Sequence, residues 1–381
     1  MDPLTPAPHR GATTIVTNAP DVVDVVALGE SMVTFLPTRP GRLADVPSFE
    51  RGIGGAESNV ACALAAAGHS VRWVSRVGAD GFGDHLVEAI GSYGVDVSSV
   101  GRDPARPTGV YFRTAGERGT GGHEVAYYRA GSAASAMSVA NVDLGAARAG
   151  RVLHLTGITA ALSAGCRGLL RELLAAGPDR PLVSFDVNHR PELWRDVDGT
   201  DMVLECARRA DVVFVGEDEA WGVTGGPEAI RESLPEPGVL VVKQGAEGAT
   251  AFVSAAGRRA LAARFPAPLG PGADPESPGE ASSPAFVPAL DVDVVATTGA
   301  GDGFAAGFLS ALLRGLSLKT CLRTAHLWAA ATLTAPGDLA TPPTRDTTDR
   351  LAAVDDDTWE TLRLGPGWTQ ADRAPEEVRT P

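Results

Sequence analysis

The stretch ATTGAGDGFAAGF, residues 296–308, decides the reading of this chain. Three small residues, Gly299, Ala300 and Gly301, precede a single acid, Asp302, and the sequence then runs straight into an apolar helical pattern. A dinucleotide fingerprint G-x-G-x-x-G fails here, because its third glycine position holds Phe304 and the acid would repel a pyrophosphate. A P-loop fails too, since neither Lys243 nor Lys319, the only two lysines, follows a glycine. A third reading uses a helix N-terminus twice. The amides of residues 299–301 converge on an anion with help from the helix dipole. Asp302 then serves as a base toward a hydroxyl that attacks phosphorus. The plain alternative is that Asp302 only caps the helix.

The chain has 381 residues and 44% hydrophobic composition, ample for a large core. Its net charge of −14, from 33 basic and 47 acidic residues, argues against a nucleic-acid surface or an anionic-membrane binder. Cys62, Cys166, Cys206 and Cys321 are far apart and lack metal-ligand spacing, which fits buried thiols in a reducing compartment. The opening MDPLTPAPHRGATTIVTNAP has no basic start and no apolar run, so a secretory signal is not expected. No apolar stretch is long enough to span a bilayer. A cytoplasmic protein is the expectation.

Residues 1–21 are expected to be disordered, being Pro- and Thr-rich. Strand-like runs follow at 24–30, 32–37, 71–78, 151–157, 181–188, 211–217 and 238–245, most of them apolar on both sides, as parallel strands covered on two faces are. Helical patterns fall at 56–67, 84–94, 165–176, 200–210, 227–234, 301–315 and 317–334. Alternation of this kind predicts βαβ units in an α/β sandwich. Residues 108–130 differ: TGVYFRT and HEVAYYRA alternate like strands around AGERGTGG, a hairpin signature. The Pro-, Gly- and Ser-rich segment 266–289 reads as a mobile insertion between two strands. The extension 346–381 reads as loose after about residue 365.

Two segments, GGAESNVACALAAAGHSVRWVSRVGADGFGD (54–84) and TTGAGDGFAAGF (297–308), resemble the paired signatures of the ribokinase-like, or PfkB, carbohydrate kinase family. The resemblance covers roughly residues 22–345. It implies a three-layer α/β/α sandwich with a mostly parallel central sheet and a small β-sheet lid, here near 32–52 and 108–130. It also implies ATP and Mg²⁺ as cofactors. Asp302 would be the base, and the amides of Gly299, Ala300 and Gly301 the anion hole.

Within the family, VAYYRAGSAAS (125–135), HLTGITAALS (154–163) and SFDVNHRPELW (184–194) resemble the 2-keto-3-deoxygluconate kinases. The implied reaction puts a phosphate on the terminal hydroxyl of 2-keto-3-deoxygluconate, giving 2-keto-3-deoxy-6-phosphogluconate. A keto acid needs a fixed positive charge for its carboxylate, and Arg129 and Arg190 could supply an arginine fork. By resemblance, Gly55, Tyr111, Tyr127 and Arg129 contact the sugar acid, Asn59 binds its hydroxyls, and Arg190 lies near substrate and phosphate. The bland alternatives are lid-strand packing for the tyrosines, a solvated edge position for Arg129 and a surface pair with Glu192 for Arg190.

On the nucleotide side, KQGAEG (243–248) resembles the family's loop beside ATP, with Lys243, Gly245 and Gly248 as contacts; the alternative is a plain turn between strands. Asn188 and Glu219 would sit near the phosphates, with Glu219 reaching magnesium through water. The family usually has Asp where this chain has Ala296, which puts potassium activation in question. His326 stands where the family often has Asn and reads as a packing residue. The family often pairs subunits through the lid strands, so a homodimer is implied. A fructokinase- or ribokinase-type sugar kinase and a non-catalytic sugar or nucleotide binder on this fold are the competing readings.

Overall fold

The computed structural model describes residues 21–114, 124–178, 180–194, 199–265 and 284–373. In chain order the first half contains β1 (Val23–Leu28), β2 (Met32–Pro37), β3 (Phe49–Gly54), α1 (Ala56–Ala66), β4 (Val71–Gly78), α2 (Gly81–Ser92), β5 (Val100–Asp103), β6 (Val110–Arg113) and β7 (Val125–Tyr128). Then come α3 (Leu144–Arg148), β8 (Gly150–Thr156), α4 (Gly157–Leu162), α5 (Ala164–Leu173), β9 (Leu182–Asp186), α6 (Gly199–Arg209) and β10 (Val212–Gly216). The rest is α7 (Gly226–Ser233), β11 (Val239–Lys243), β12 (Gly248–Val253), α8 (Ala255–Ala262), β13 (Ala285–Pro288), β14 (Asp291–Val292), α9 (Ala300–Leu313), α10 (Leu318–Leu333), α11 (Arg345–Ala352), α12 (Asp356–Thr361) and β15 (Arg363–Leu364).

Nine strands form one sheet in the order β13-β12-β11-β10-β9-β8-β1-β4-β5. Every pairing from β11 to β5 is parallel, while β12 and β13 join antiparallel at one edge. The apolar runs are explained by what lies on each face. Val25 and Ala27 of β1 point into one core with α1 and α9, whereas Val26 and Leu28 point into the other with α5 and α6. β9, β10 and β11 divide in the same way: Phe214 and Val241 go to the first core, Phe185 and Val242 to the second. A strand covered on both faces has no polar face to show. This is an α/β/α sandwich.

The small sheet has the order β3-β2-β6-β7. The expected hairpin is present as the antiparallel pair β6 and β7, and β2 lies parallel to β6. Phe35 stacks on Phe112 at 4.7 Å, and Phe49 meets Phe112 edge-on, so the lid has an aromatic filling of its own.

Three boundaries differ from expectation. The supposed insertion 266–289 lies outside the described residues up to 283, but residues 285–288 are not part of it: they are β13, paired to β12. The stretch after 345 is an integral layer, because α11, α12 and β15 bury Ala352, Trp359 and Leu364 against the core. Trp368, expected in the loose tail, is only 5% exposed. Residues 1–20 lie outside the described residues. Among the described residues no helix is long and apolar enough to cross a membrane, and all four cysteines are buried free thiols.

Candidate active site

Polar side chains gather where the parallel strands end, the usual ligand position of an open α/β sheet. Helix α9 begins there. Its N-cap is Gly299, with φ +82°. A Cβ on Gly299 would sit 2.0 Å from the Asp338 carbonyl oxygen, so both the backbone angle and the space require glycine. The first amides of a helix have no intrahelical partner; that of Ala300 turns onto the Thr297 carbonyl at a long 3.4 Å.

Asp302 does not cap its helix. Its carboxylate is buried and accepts a hydrogen bond from Asn59 Nδ2 at 2.8 Å. Burial pushes the Asp302 carboxyl up to about 8, with Asp186 and Glu57 adding to the rise and Asn59 and Lys243 opposing it. A buried carboxyl with a raised pKa, at a helix start that it does not cap, is a candidate proton acceptor. Asn59 therefore serves the acid directly, while its Oδ1 is buried without a partner among the described residues. Gly55 lets α1 start close to the strand end: a Cβ there would lie 2.4 Å from the Glu30 carbonyl.

On the lid, Tyr111 is buried and its hydroxyl donates to Asp338. Asp338 also pairs with Arg113 at 2.5 Å, both side chains being almost fully enclosed. The Tyr127 ring lies 5.4 Å from that of Tyr111 and is half-exposed, within electrostatic range of Arg129 and Arg190. Arg129 is not a solvated edge residue. Its Nε donates to Glu30 at 2.7 Å, and Ser132 Oγ holds the other oxygen of Glu30 at 2.5 Å. Arg129 Nη1 makes no hydrogen bond among the described residues, so the outer edge of the fork is open. Arg190 pairs with Glu219 at 2.8 Å, not with Glu192. Three neighbouring carboxylates and guanidinium burial compete over Arg190: burial lowers its pKa, but Glu219, Asp186 and Asp302 win and raise it.

On the opposite flank, Lys243 Nζ reaches Asp186 Oδ1 at 3.0 Å and Oδ2 at 3.1 Å. Burial works against its charge, yet Asp186, Glu219 and Asp302 raise its pKa. Asn188 sits at φ +37°, and its buried Oδ1 has no partner among the described residues. Gly245 (φ +59°) and Gly248 (φ +145°) shape the β11–β12 connection, closed by Gln244 N to Gly248 O at 2.9 Å. The geometry of that segment is a tight turn, with Lys243 at its base. Glu219 Oε2 also accepts from Gly216 N at 3.2 Å. No group of three or more His, Cys, Asp or Glu among the described residues could hold a metal. A magnesium ion brought in by phosphates, with a single acid at a distance, fits this donor set.

His326 is a packing residue, as expected: it bonds the Val287 carbonyl at 3.2 Å, meets Phe304 edge-on, and burial lowers its pKa to about 4. Buried His154, bonded to Ser184, is held at about 3.

Four acids at the site escaped the sequence reading: Glu30, Glu57, Asp186 and Asp338. Glu57 is fully buried, accepts from Thr156 and Thr159 at 2.8 and 2.7 Å, and has one oxygen without a partner among the described residues. Its carboxyl occupies the space a Cβ on Gly29 would need. Asp186 and Glu57 did carry a signal, a lone acid in an apolar run (LVSFDV) and in a helix otherwise of small and apolar residues. Asp338 lies in a loop with none.

Comparison with known proteins agrees with this geometry. The model of the pfkB family carbohydrate kinases matches residues 23–345. The 2-dehydro-3-deoxygluconokinase of Bacillus subtilis (strain 168) is 34% identical over 335 residues, covering 85% of this chain and 94% of that protein. The probable fructokinase-6, chloroplastic, of Arabidopsis thaliana is 28% identical, covering 84% and 80%. The crystal structure of a PfkB protein from Polaromonas sp. JS666 superposes with a TM-score of 0.70 at 32% identity, covering 87% of this chain and all (100%) of that one. The chain belongs to the pfkB family of carbohydrate kinases, on the ribokinase-like fold.

Proposed function

We propose that this kinase transfers the γ-phosphoryl group of ATP to the terminal hydroxyl of 2-keto-3-deoxygluconate, giving 2-keto-3-deoxy-6-phosphogluconate. The observation that carries the reading is Arg129, fixed by Glu30 along one edge and open along the other. A guanidinium held in that way offers its outer fork to a carboxylate without having to be ordered first. Arg190 and the two lid tyrosines lie beside it. The likeness to the Bacillus subtilis 2-dehydro-3-deoxygluconokinase supports the same choice.

Asp302 accepts the hydroxyl proton, and the Asn59 amide keeps its carboxylate aimed. The first-turn amides of α9 face the charge on the transferred group. Magnesium carried by the nucleotide would neutralise phosphate charge, and Glu219 and Asn188 would reach its water shell. Closure of the lid would keep water from the phosphoryl group. The same reading includes a homodimer through the lid, since edge strand β7 exposes Val125 and Tyr128, the latter by 66%.

One observation favours a neutral sugar instead. Both arginines already face a carboxylate, Glu30 and Glu219, so the net positive field at the sugar is small. The probable fructokinase relative points the same way. The Arg129→Met variant separates the two. The sugar-acid reading expects kcat/KM for 2-keto-3-deoxygluconate to fall by about a hundredfold or more, in line with a charged hydrogen bond lost from a substrate site. An unchanged value would remove Arg129 from the site and with it the main support for a sugar acid.

A further inference from the structure

Lys243 and Asp186 stand at the ends of β11 and β9, with β10 between them. The lysine side chain reaches across β10 to place its ammonium on both oxygens of Asp186. It ends against helix α9: a Cβ on Gly301 would be 3.5 Å from Nζ. That contact puts a fixed positive charge beside the last residue of the anion hole and within electrostatic reach of Asp302. Asp186 is 3% exposed and the Lys243 side chain 19% exposed. Among the described residues it has no partner other than Asp186. A buried lysine–aspartate pair adds little net stability. Its position, at the helix terminus where the phosphoryl group must pass, is what calls for an explanation.

We propose that Lys243, oriented by Asp186, is a second catalytic group of this kinase, donating a hydrogen bond to an oxygen of the phosphoryl group in flight. The substrate hydroxyl oxygen forms its bond to the γ-phosphorus as the bond from that phosphorus to the β–γ bridging oxygen breaks. The bonding pair leaves with ADP, and the hydroxyl proton passes to Asp302. Lys243 remains an ammonium throughout and moves no proton. Its charge acts where negative charge collects, so its effect belongs to the transition state more than to bound ATP. Asp186 is a positioning residue: it holds the ammonium against Gly301 and keeps it from folding onto Asp302.

The test compares wild type with Lys243→Met, Lys243→Arg and Asp186→Asn, using whichever sugar the wild type phosphorylates fastest, so the outcome does not depend on the sugar-acid reading. Three quantities are measured: kcat, the Kd of Mg·ATP, and the affinity for Mg·ADP with aluminium fluoride, a mimic of the group in transfer. Lys243→Met is expected to lose about 10²- to 10³-fold in kcat, as when one oxyanion donor is removed, and a similar factor in aluminium fluoride affinity. Its Kd for Mg·ATP should stay within about threefold, and Lys243→Arg should recover part of the loss. Asp186→Asn should lower kcat less than Lys243→Met does. Equal losses of ATP and aluminium fluoride affinity in Lys243→Met would reduce Lys243 to an ordinary nucleotide contact and overturn the proposal. An unchanged kcat would overturn it as well. If Lys243→Met does not fold, Lys243→Gln is read by the same criteria.

Discussion

At the residue scale the decisive group is Asp302. Burial, with other acids nearby, raises its carboxyl to about 8, so below that pH it is protonated and could not act as the base proposed for it. The pH profile of kcat/KM should therefore rise through about pH 8 on its acid limb. Stability runs in the opposite sense. Between the ordinary value of 3.8 and about 8, the folded state holds a proton that the unfolded chain has lost, so stability falls as pH rises through that window. Asp302→Asn should remove both effects. Its kcat should drop by about 10²- to 10⁴-fold with Mg·ATP binding kept, and its melting temperature above pH 8 should exceed that of wild type. An Asn variant that melts below wild type at pH 9 and still turns over would contradict the assignment. Asp302 and its glycines were legible because small residues before an acid at a helix start have few uses. The partners Glu30, Glu57, Asp186 and Asp338 were not, since nothing local tells a buried carboxylate from a solvated one. Arg129 was found but its tether was not: Glu30 lies 99 residues away in sequence.

At the element scale, two side chains of β6 make one of the joints between lid and body. Arg113 and Tyr111 both end on Asp338, whose backbone carbonyl closes on Gly299. The lid strand and the start of α9 thus share one residue. Arg113→Ala would leave Asp338 buried without its cation, at a cost of about 3–5 kcal/mol, read as a lower midpoint in urea. A fall in sugar affinity larger than that in ATP affinity should accompany it. A midpoint within experimental scatter of wild type would show that the pair contributes nothing to docking the lid. The strands from β1 to β11 that are buried on both faces were readable as continuous apolar runs. β3 (FERGIG), β5 (VGRD) and β13 (AFVP) were not, being partly exposed and at sheet edges. There the partner strand, not local composition, decides the conformation. The loose tail expected after about residue 365 was placed too early: Trp368 is buried, and nothing in the polar sequence around it shows that it docks.

At the scale of the whole molecule, fold and chemistry are divided between layers. The two cores make a rigid sheet, and the cleft at its strand ends is lined from above by the lid and from below by α1 and α9. No cluster of acids among the described residues replaces the nucleotide's own metal ligands. Chelation of magnesium should therefore abolish turnover while leaving the melting temperature of the nucleotide-free protein unchanged within about 1 °C, since nothing in the fold depends on the ion. A large drop in melting temperature on chelation would reveal a structural metal. The most direct measurement is ADP release from Mg·ATP with 2-keto-3-deoxygluconate and with fructose, run side by side on the same preparation. The account predicts turnover with the sugar acid and a kcat/KM for fructose at least about a hundredfold lower, because the open fork of Arg129 has nothing to bind in a neutral sugar. Equal or faster turnover of fructose would contradict it.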